Sequence, residues 1–97
     1  MPTWSHSAEL DLQRNIENYA KEDPVTAWRI FEDVIERAEI LDEEPELGRR
    51  GRLAGTREFV LKGTPFILVY QGKAPVNILN VLHGHQDRST HEVTAVP

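Results

Sequence analysis

The sequence contains no cysteine in its 97 residues, which excludes disulfide bonds and thiolate metal sites. No apolar run approaches the roughly 18 residues of a membrane-spanning helix. The first residues also lack a basic region followed by an apolar stretch, which is the pattern of a secretion signal. We therefore expect a soluble, unexported protein of the reducing cytoplasm that has no membrane partner.

The composition is typical of a single globular domain. Apolar residues make up 39% of the chain, and a chain of this size buries about two thirds of its unfolded surface around one core. We expect one domain over residues 1–97, with a polar and loosely held tail over about 88–97. The four histidines at positions 6, 83, 85 and 91 do not make a ligand set, and we predict no metal site and no cofactor.

The charge is divided between the two halves of the chain. Residues 1–48 contain 13 acidic and 4 basic side chains, whereas residues 49–97 contain 3 acidic and 7 basic ones. This asymmetry indicates that the C-terminal half meets a negatively charged partner while the acidic half keeps the molecule soluble. The alternative is that solvated helix faces are simply rich in glutamate.

The N-terminal half predicts a short edge strand around Trp4 and then a helical hairpin. Apolar residues at helical spacing indicate a first helix over about 7–21, and they are Ala8, Leu12, Ile16, Tyr19 and Ala20. Asp23 and Pro24 suit the cap and the first turn of a second helix that runs to about Asp42. Trp28, Ile30 and Ile35 widen its apolar stripe, so we expect this helix to cover a sheet as well as the first helix.

The C-terminal half predicts a three-stranded antiparallel meander. A basic, glycine-containing loop after Gly48 leads into the predicted strands, which are Arg57–Lys62, Phe66–Tyr70 and Val76–His83. The Phe66–Tyr70 strand is apolar throughout and should be central. In the last strand we expect Val76, Ile78 and Leu82 to share one face, with Leu79 and Val81 on the other. The predicted fold is therefore α+β in the order β-α-α-β-β-β.

This order of elements, with several short motifs in it, resembles the RelE/ParE family of bacterial type II toxin–antitoxin toxins over about residues 3–87. The matching residues are Trp4-Ser5 with Ala8 and Asp11-Leu12, Asp23-Pro24, Pro45-Glu46-Leu47-Gly48-Arg49 with Gly51-Arg52, Gly55-Thr56-Arg57-Glu58-Phe59-Val60, Thr64-Pro65-Phe66-Ile67-Leu68-Val69-Tyr70, and Ile78-Leu79-Asn80-Val81-Leu82-His83-Gly84. Their order and spacing together carry the resemblance.

The resemblance implies a growth-inhibiting toxin that is silenced by a cognate antitoxin, as a homodimer or a toxin–antitoxin hetero-oligomer. RelE-like members are metal-independent endoribonucleases that cleave mRNA in the ribosomal A site. ParE-like members bind DNA gyrase and poison it without chemistry of their own. A third interpretation is a non-toxic interaction protein whose groove between hairpin and sheet receives an antitoxin helix or strand.

The resemblance also nominates residues for each mechanism. If the chain is a nuclease, the catalytic candidates are Arg57, Lys62, His83 and His85, with Lys62 as the phosphate-stabilising cation and a histidine as general acid. Arg57 has the alternative of a structural or antitoxin-binding role, and Lys62 that of a solvated turn residue. The candidates for target or nucleic-acid binding are Arg49, Arg50, Arg52, Arg57 and Lys62.

Two departures favour the gyrase mechanism over mRNA cleavage. No tyrosine follows His85, where many ribosome-dependent members carry one, and the lysines are reduced in this region to Lys62 and Lys73. The acidic total, a net charge of −5, is also unfavourable for binding to the ribosome, because each cation that meets a phosphate gains affinity by counterion release.

Overall fold

A computed structural model of the chain describes residues 1–83, and all structural statements concern those residues. The helices are α1 (His6–Glu22) and α2 (Pro24–Glu43), and the strands are β1 (Thr3–Trp4), β2 (Arg49–Arg50), β3 (Thr56–Val60), β4 (Phe66–Gln71) and β5 (Asn77–His83). The strands form one sheet in the order β1-β5-β4-β3-β2. The predicted α+β fold, with β1 at an edge, is confirmed. Neither helix combines the length and the apolar character that crossing a membrane requires.

Side-chain caps set the helical hairpin. The Ser5 hydroxyl accepts the Ala8 N–H at 3.0 Å and begins α1, while a carboxylate oxygen of Asp23 accepts the Thr26 N–H at 3.1 Å and begins α2. The Asp23 N–H also donates to the carbonyl of Tyr19 at 2.9 Å. One residue therefore ends the first helix and starts the second, which forces the two helices into an antiparallel pair.

The sheet differs from the expectation in two of its pairings. β1 runs parallel to β5, with Thr3 opposite Asn77, so the sheet is mixed rather than antiparallel throughout. The Arg49–Arg50 segment, predicted to be loop, forms the edge strand β2 and pairs antiparallel with β3. Both short strands satisfy backbone groups at the margins of the central three-stranded meander.

β3 ends at Val60, two residues before the predicted end at Lys62. A tight turn takes over there, because the Leu61 N–H donates to the Phe66 carbonyl at 3.0 Å and the Thr64 N–H donates to the Leu61 carbonyl at 3.0 Å. Gly63 has φ of 85°, a left-handed conformation that glycine adopts without a steric penalty. Lys62 consequently lies in the turn and not on the strand.

A bulge in β5 corrects the predicted assignment of its faces. Val69 lies opposite Asn80 and Tyr70 opposite Ile78, so Leu79 is an extra residue that shifts the alternation of faces. Ile78 and Val81 therefore pack together in the core under the helices, whereas Leu82 belongs to the separate cluster with β4 residues. The prediction that Ile78 and Leu82 share a face was wrong.

The main core lies between the hairpin and the sheet. Its fully buried members include Val34, Ala38 and Leu41 from α2, and Phe66, Leu68 and Tyr70 from β4. The widened stripe of α2 is only partly buried: Ile30 is 8% exposed, but Trp28 is 61% and Ile35 36% exposed. Ile30 therefore joins the core between the hairpin and the sheet, whereas Trp28 and Ile35 face outward.

Candidate functional site

An open cleft of about 630 Å³ lies at the end of the sheet where the β2–β3 loop meets the β4–β5 turn. Four cations line it, Arg50, Arg52, Arg57 and Lys73, together with the glycines at positions 51, 55 and 72. We call this region the basic cleft. The strand pairing explains how it forms, since β2 and β3 run side by side and the β4–β5 turn lies at the same end of the sheet.

Arg50 and Arg57 are directly opposite each other in the β2–β3 ladder. Residues in such a pair leave the same face with Cβ atoms about 5 Å apart, and like charges there repel. In the region that the structure describes, the ion pairs involve neither these two arginines nor Arg52 or Lys73. Among the described residues that line the cleft there are therefore four cations and no carboxylate.

Arg49 differs from the other arginines of this region. It lies opposite Glu58 in the ladder, and one of its guanidinium nitrogens is 3.3 Å from a Glu58 carboxylate oxygen. Adjacent residues of a strand leave opposite faces, so this ion pair lies on the face that Arg50 does not share. Arg49 does not line the cleft, and its predicted role in target binding stays a prediction.

Arg57 is anchored at the margin of the cleft. Its Nη1 donates to the carbonyl of Gly48 at 2.8 Å, which supports the structural alternative considered for this residue. A Cβ on Gly72 would lie 3.1 Å from Arg57 Nε, so the glycine leaves room for the arginine side chain. Arg57 thus contributes charge to the cleft while it braces the segment that leads into β2.

The Tyr70 hydroxyl also holds the segment that leads into β2, through hydrogen bonds to Pro45 and Gly48. This role was not predicted from the sequence. Its hydroxyl donates to the Pro45 carbonyl at 2.7 Å and accepts the Gly48 N–H at 2.8 Å. A Cβ on Gly48 would be 2.7 Å from that hydroxyl, a distance at which only glycine fits. Burial raises the pKa of Tyr70, against the opposing effects of the Gly48 hydrogen bond and the Arg57 charge, so the hydroxyl remains a neutral donor.

The structure divides the described nuclease candidates between two ends of the sheet. His83 pairs with Phe66 at the start of β4, whereas Arg57 pairs with Tyr70 near its end. Lys62 follows the end of β3 in the turn that leads into Phe66, so it lies near the His83 end of the sheet. The His83 ring meets the Phe66 ring edge-on with centroids 6.0 Å apart. His85 and the predicted tail lie outside the described residues.

Metal ligation has no candidate in the part of the chain that the structure describes. No group of three histidine, aspartate or glutamate side chains in residues 1–83 is arranged to hold an ion. His83 has interactions of its own within the fold.

A second surface feature lies on the helical hairpin. A groove of about 330 Å³ runs between α1 and α2 and is lined by Trp4, Leu12, Phe31 and Ile35, with Glu9 and Gln13 at its edge. Beside it, the exposed Trp28 ring stacks on Phe31 with centroids 5.7 Å apart. We call this surface the hairpin groove. Exposed apolar side chains grouped beside a groove offer a surface to which a protein partner can bind.

The helical hairpin on a meander sheet places the chain among the small α+β proteins of the RelE/ParE type. A solved structure titled "Chromosomal ParDE TA system from P. aeruginosa" has the same fold, with a TM-score of 0.74, 22% sequence identity, and coverage of 86% of this chain and 96% of the matched one. At that identity the likeness concerns the fold alone.

Sequence comparison then identifies the family. The family model described as "ParE toxin of type II toxin-antitoxin system, parDE" matches residues 3–88. A curated relative from Sinorhizobium fredii, named "Putative toxin Y4kP", is 41% identical over 66 residues, which cover 68% of this chain and 69% of that protein. The chain belongs to the ParE toxin family of type II toxin–antitoxin systems, and the predicted resemblance is confirmed. Membership implies an antitoxin partner.

Proposed function

We propose that this toxin acts in the cytoplasm by poisoning DNA gyrase, and that it does so without catalysing a reaction of its own. The observation that carries this proposal is the match of the ParE toxin family model to residues 3–88. The arrangement of the nuclease candidates agrees with it, because Arg57 lies at the opposite end of the sheet from Lys62 and His83. The candidate cations therefore do not converge on one phosphate, as a site that stabilises the crowded transition state of RNA cleavage would require.

The environment of Arg57 also supports a non-nucleolytic mechanism. Its guanidinium is held by the Gly48 carbonyl at 2.8 Å, and the neighbouring carboxylate, Glu58, lies on the other face beside Arg49. A general base for the 2′-hydroxyl is therefore not placed next to the phosphate-binding cation. The described residues offer surfaces for binding, and binding is what a gyrase poison requires.

We propose that the antitoxin docks an amphipathic helix in the hairpin groove, forming a toxin–antitoxin hetero-oligomer. The exposed Val25, Trp28 and Ile35 follow the helical spacing of α2 and supply an apolar surface next to the groove. Glu9 at its edge fits a partner helix that carries basic residues beside its apolar side. Burial of an aromatic anchor such as Trp28 is typical of residues that dominate binding energy.

Expression of the toxin without its antitoxin tests the mechanism. We expect growth arrest with gyrase covalently linked to cleaved DNA, and intact mRNA at A-site codons. Lys62→Ala and His83→Ala should remain toxic, because neither residue lies at the basic cleft. Breaks in mRNA at A-site codons that disappear in Arg57→Ala, Lys62→Ala or His83→Ala would instead establish the nuclease mechanism.

A further inference from the structure

We infer that the basic cleft binds the phosphodiester backbone of DNA, with Arg50, Arg52, Arg57 and Lys73 as the contacting cations. The inference rests on the proposed function in one respect, that the DNA in question is the segment held by gyrase. The binding itself is a property of this chain and can be measured without gyrase.

The positive charge of the cleft is not balanced by the residues that line it. Arg50 and Arg57 repel each other across the β2–β3 ladder, and none of the four cations has a carboxylate partner among residues 1–83. An anion between the two guanidinium groups would remove the repulsion and gain charge-assisted hydrogen bonds. The Arg57 guanidinium is already oriented by Gly48, so less side-chain entropy is lost when it binds.

The backbone of the cleft is accessible to a ligand. Gly55 has φ of 80° and no heavy atom within 4 Å of the position of a Cβ, so the loop exposes its main chain at the margin of the cleft. Glycine at such positions lets a ligand approach backbone groups closely. Arg50, Arg52 and Lys73 are all exposed, and their long side chains can reach successive oxygens of one phosphate or its neighbour.

The side chains that line the cleft favour DNA over an acidic peptide as its ligand. The cleft lining contains no aromatic residue, and its apolar side chains are small or half-exposed, such as Ala54 and Leu53. A docked peptide needs a buried apolar anchor, and that chemistry is found in the hairpin groove instead. Without an aromatic platform for base stacking, the contact is to phosphates and independent of sequence.

The acidic surface next to the cleft limits the number of DNA phosphates that can contact the protein. Glu43, Glu44 and Glu46 line an adjoining hollow that shares Gly72 with the cleft, so DNA is repelled on that side. We therefore expect contacts to about two or three phosphates and not a long continuous footprint. Counterion release then gives a slope of log K against log salt of about −2 to −3, at roughly −0.9 per phosphate.

The test is fluorescence anisotropy of a labelled DNA duplex titrated with purified toxin at several salt concentrations. The key variant is Arg50→Gln with Lys73→Gln, which leaves the bracing residue Arg57 in place. The matched control is Lys21→Gln with Arg29→Gln, which changes the net charge equally on exposed positions of the helices. Thermal denaturation of each variant confirms that it is folded.

We expect the cleft variant to bind DNA about tenfold or more weakly than wild type. Its slope of log K against log salt should be shallower by about one phosphate contact for each cation removed. The affinity of the helix control should stay within about twofold of wild type. The inference is overturned if the toxin does not bind the duplex at low salt, or if both variants weaken it equally. It is also overturned if oligoglutamate binds the cleft as tightly as the duplex and loses the same affinity in the cleft variant.

A gyrase assay in parallel separates this inference from the proposed function. If the toxin poisons gyrase but does not bind DNA through the cleft, the inference fails and the proposed function stands. If the cleft binds DNA and gyrase is unaffected, the proposed function fails and the assignment of the cleft stands.

Discussion

The Tyr70 hydroxyl offers the sharpest test of how the basic cleft is held in place. Tyr70→Phe removes a single oxygen that donates to Pro45 at 2.7 Å and accepts from Gly48 at 2.8 Å. The ring itself is fully buried and stays, so packing is unchanged. The Gly48 amide, also buried, is left without an acceptor, while the half-buried Pro45 carbonyl can be partly rehydrated.

The expected cost follows from these two groups. A buried donor left unpaired costs about 1–3 kcal/mol, and a lost hydrogen bond at a hydrated site contributes about 0.5–1 kcal/mol. We expect Tyr70→Phe to lower the free energy of unfolding by about 2 kcal/mol, which for a domain of this size lowers Tm by roughly 10 °C. Urea and thermal denaturation followed by circular dichroism measure both quantities.

Tyr19→Phe is the matched control for this substitution. Tyr19 contacts Phe66 through its ring, with centroids 6.3 Å apart, and among the hydrogen bonds of residues 1–83 none involves its hydroxyl. We expect a change of less than about 0.5 kcal/mol. Hydrogen exchange at the Gly48 amide should accelerate in Tyr70→Phe alone. Equal stability of the two variants, or an unchanged Gly48 exchange rate, would refute the role assigned to Tyr70.

The remaining predictions concern the bulge, pH dependence and antitoxin binding. The Asp11 carboxylate accepts the Val81 N–H at 3.0 Å beside the β5 bulge. Asp11→Ala should therefore lower the free energy of unfolding, measured by urea denaturation, by about 1–3 kcal/mol. An unchanged urea concentration at the midpoint of unfolding would contradict this. Hydrogen bonds from the terminal amine and from the Val76 N–H hold the pKa of Asp42 below its usual range. The ionised carboxylate therefore stabilises the fold at pH values above its unfolded pKa, and this stabilisation is lost as the pH falls through the folded pKa. Between about pH 5 and pH 2, the free energy of unfolding should decrease less in Asp42→Asn than in wild type. An equal decrease in the two proteins would argue against this role of Asp42. Trp28→Ala should weaken antitoxin binding by at least about 2 kcal/mol in calorimetry without lowering Tm, since Trp28 is 61% exposed; unchanged affinity would exclude the hairpin groove.

The helical hairpin was predictable from sequence because its signals are local. Asp23 and Pro24 combine a cap and a first-turn proline within two residues, and the structure places both as expected. The apolar central strand was predictable for the same reason. In each case the residue type and its immediate neighbours determine the backbone conformation.

The β5 faces and the α2 surface were not predictable, because they depend on residues far apart in the chain. The bulge at Leu79 is stabilised by Asp11, about 70 positions away, and nothing in the β5 sequence itself indicates an extra residue. Trp28 and Ile35 fit a buried stripe by spacing, yet they are exposed. The spacing of apolar residues along a helix is the same whether they pack in the core or contact a partner protein.

The candidate site was predictable in composition and not in geometry. The sequence concentrates cations after Gly48, and Arg50, Arg52 and Arg57 do line one cleft. It did not reveal that Arg49 pairs with Glu58 or that Lys73 completes the cleft from another turn. Strand register decides which arginines lie on the face of the cleft, because a shift of one position along a strand moves a side chain to the opposite face.

The most direct test of the account is incubation of purified toxin with purified gyrase and supercoiled plasmid, followed by protein denaturation and proteolysis. We predict accumulation of linear plasmid from cleaved DNA that had been covalently attached to gyrase, and suppression of this product when antitoxin is added. Plasmid that remains uncleaved, together with toxin-dependent breaks in mRNA on translating ribosomes, would contradict the gyrase mechanism.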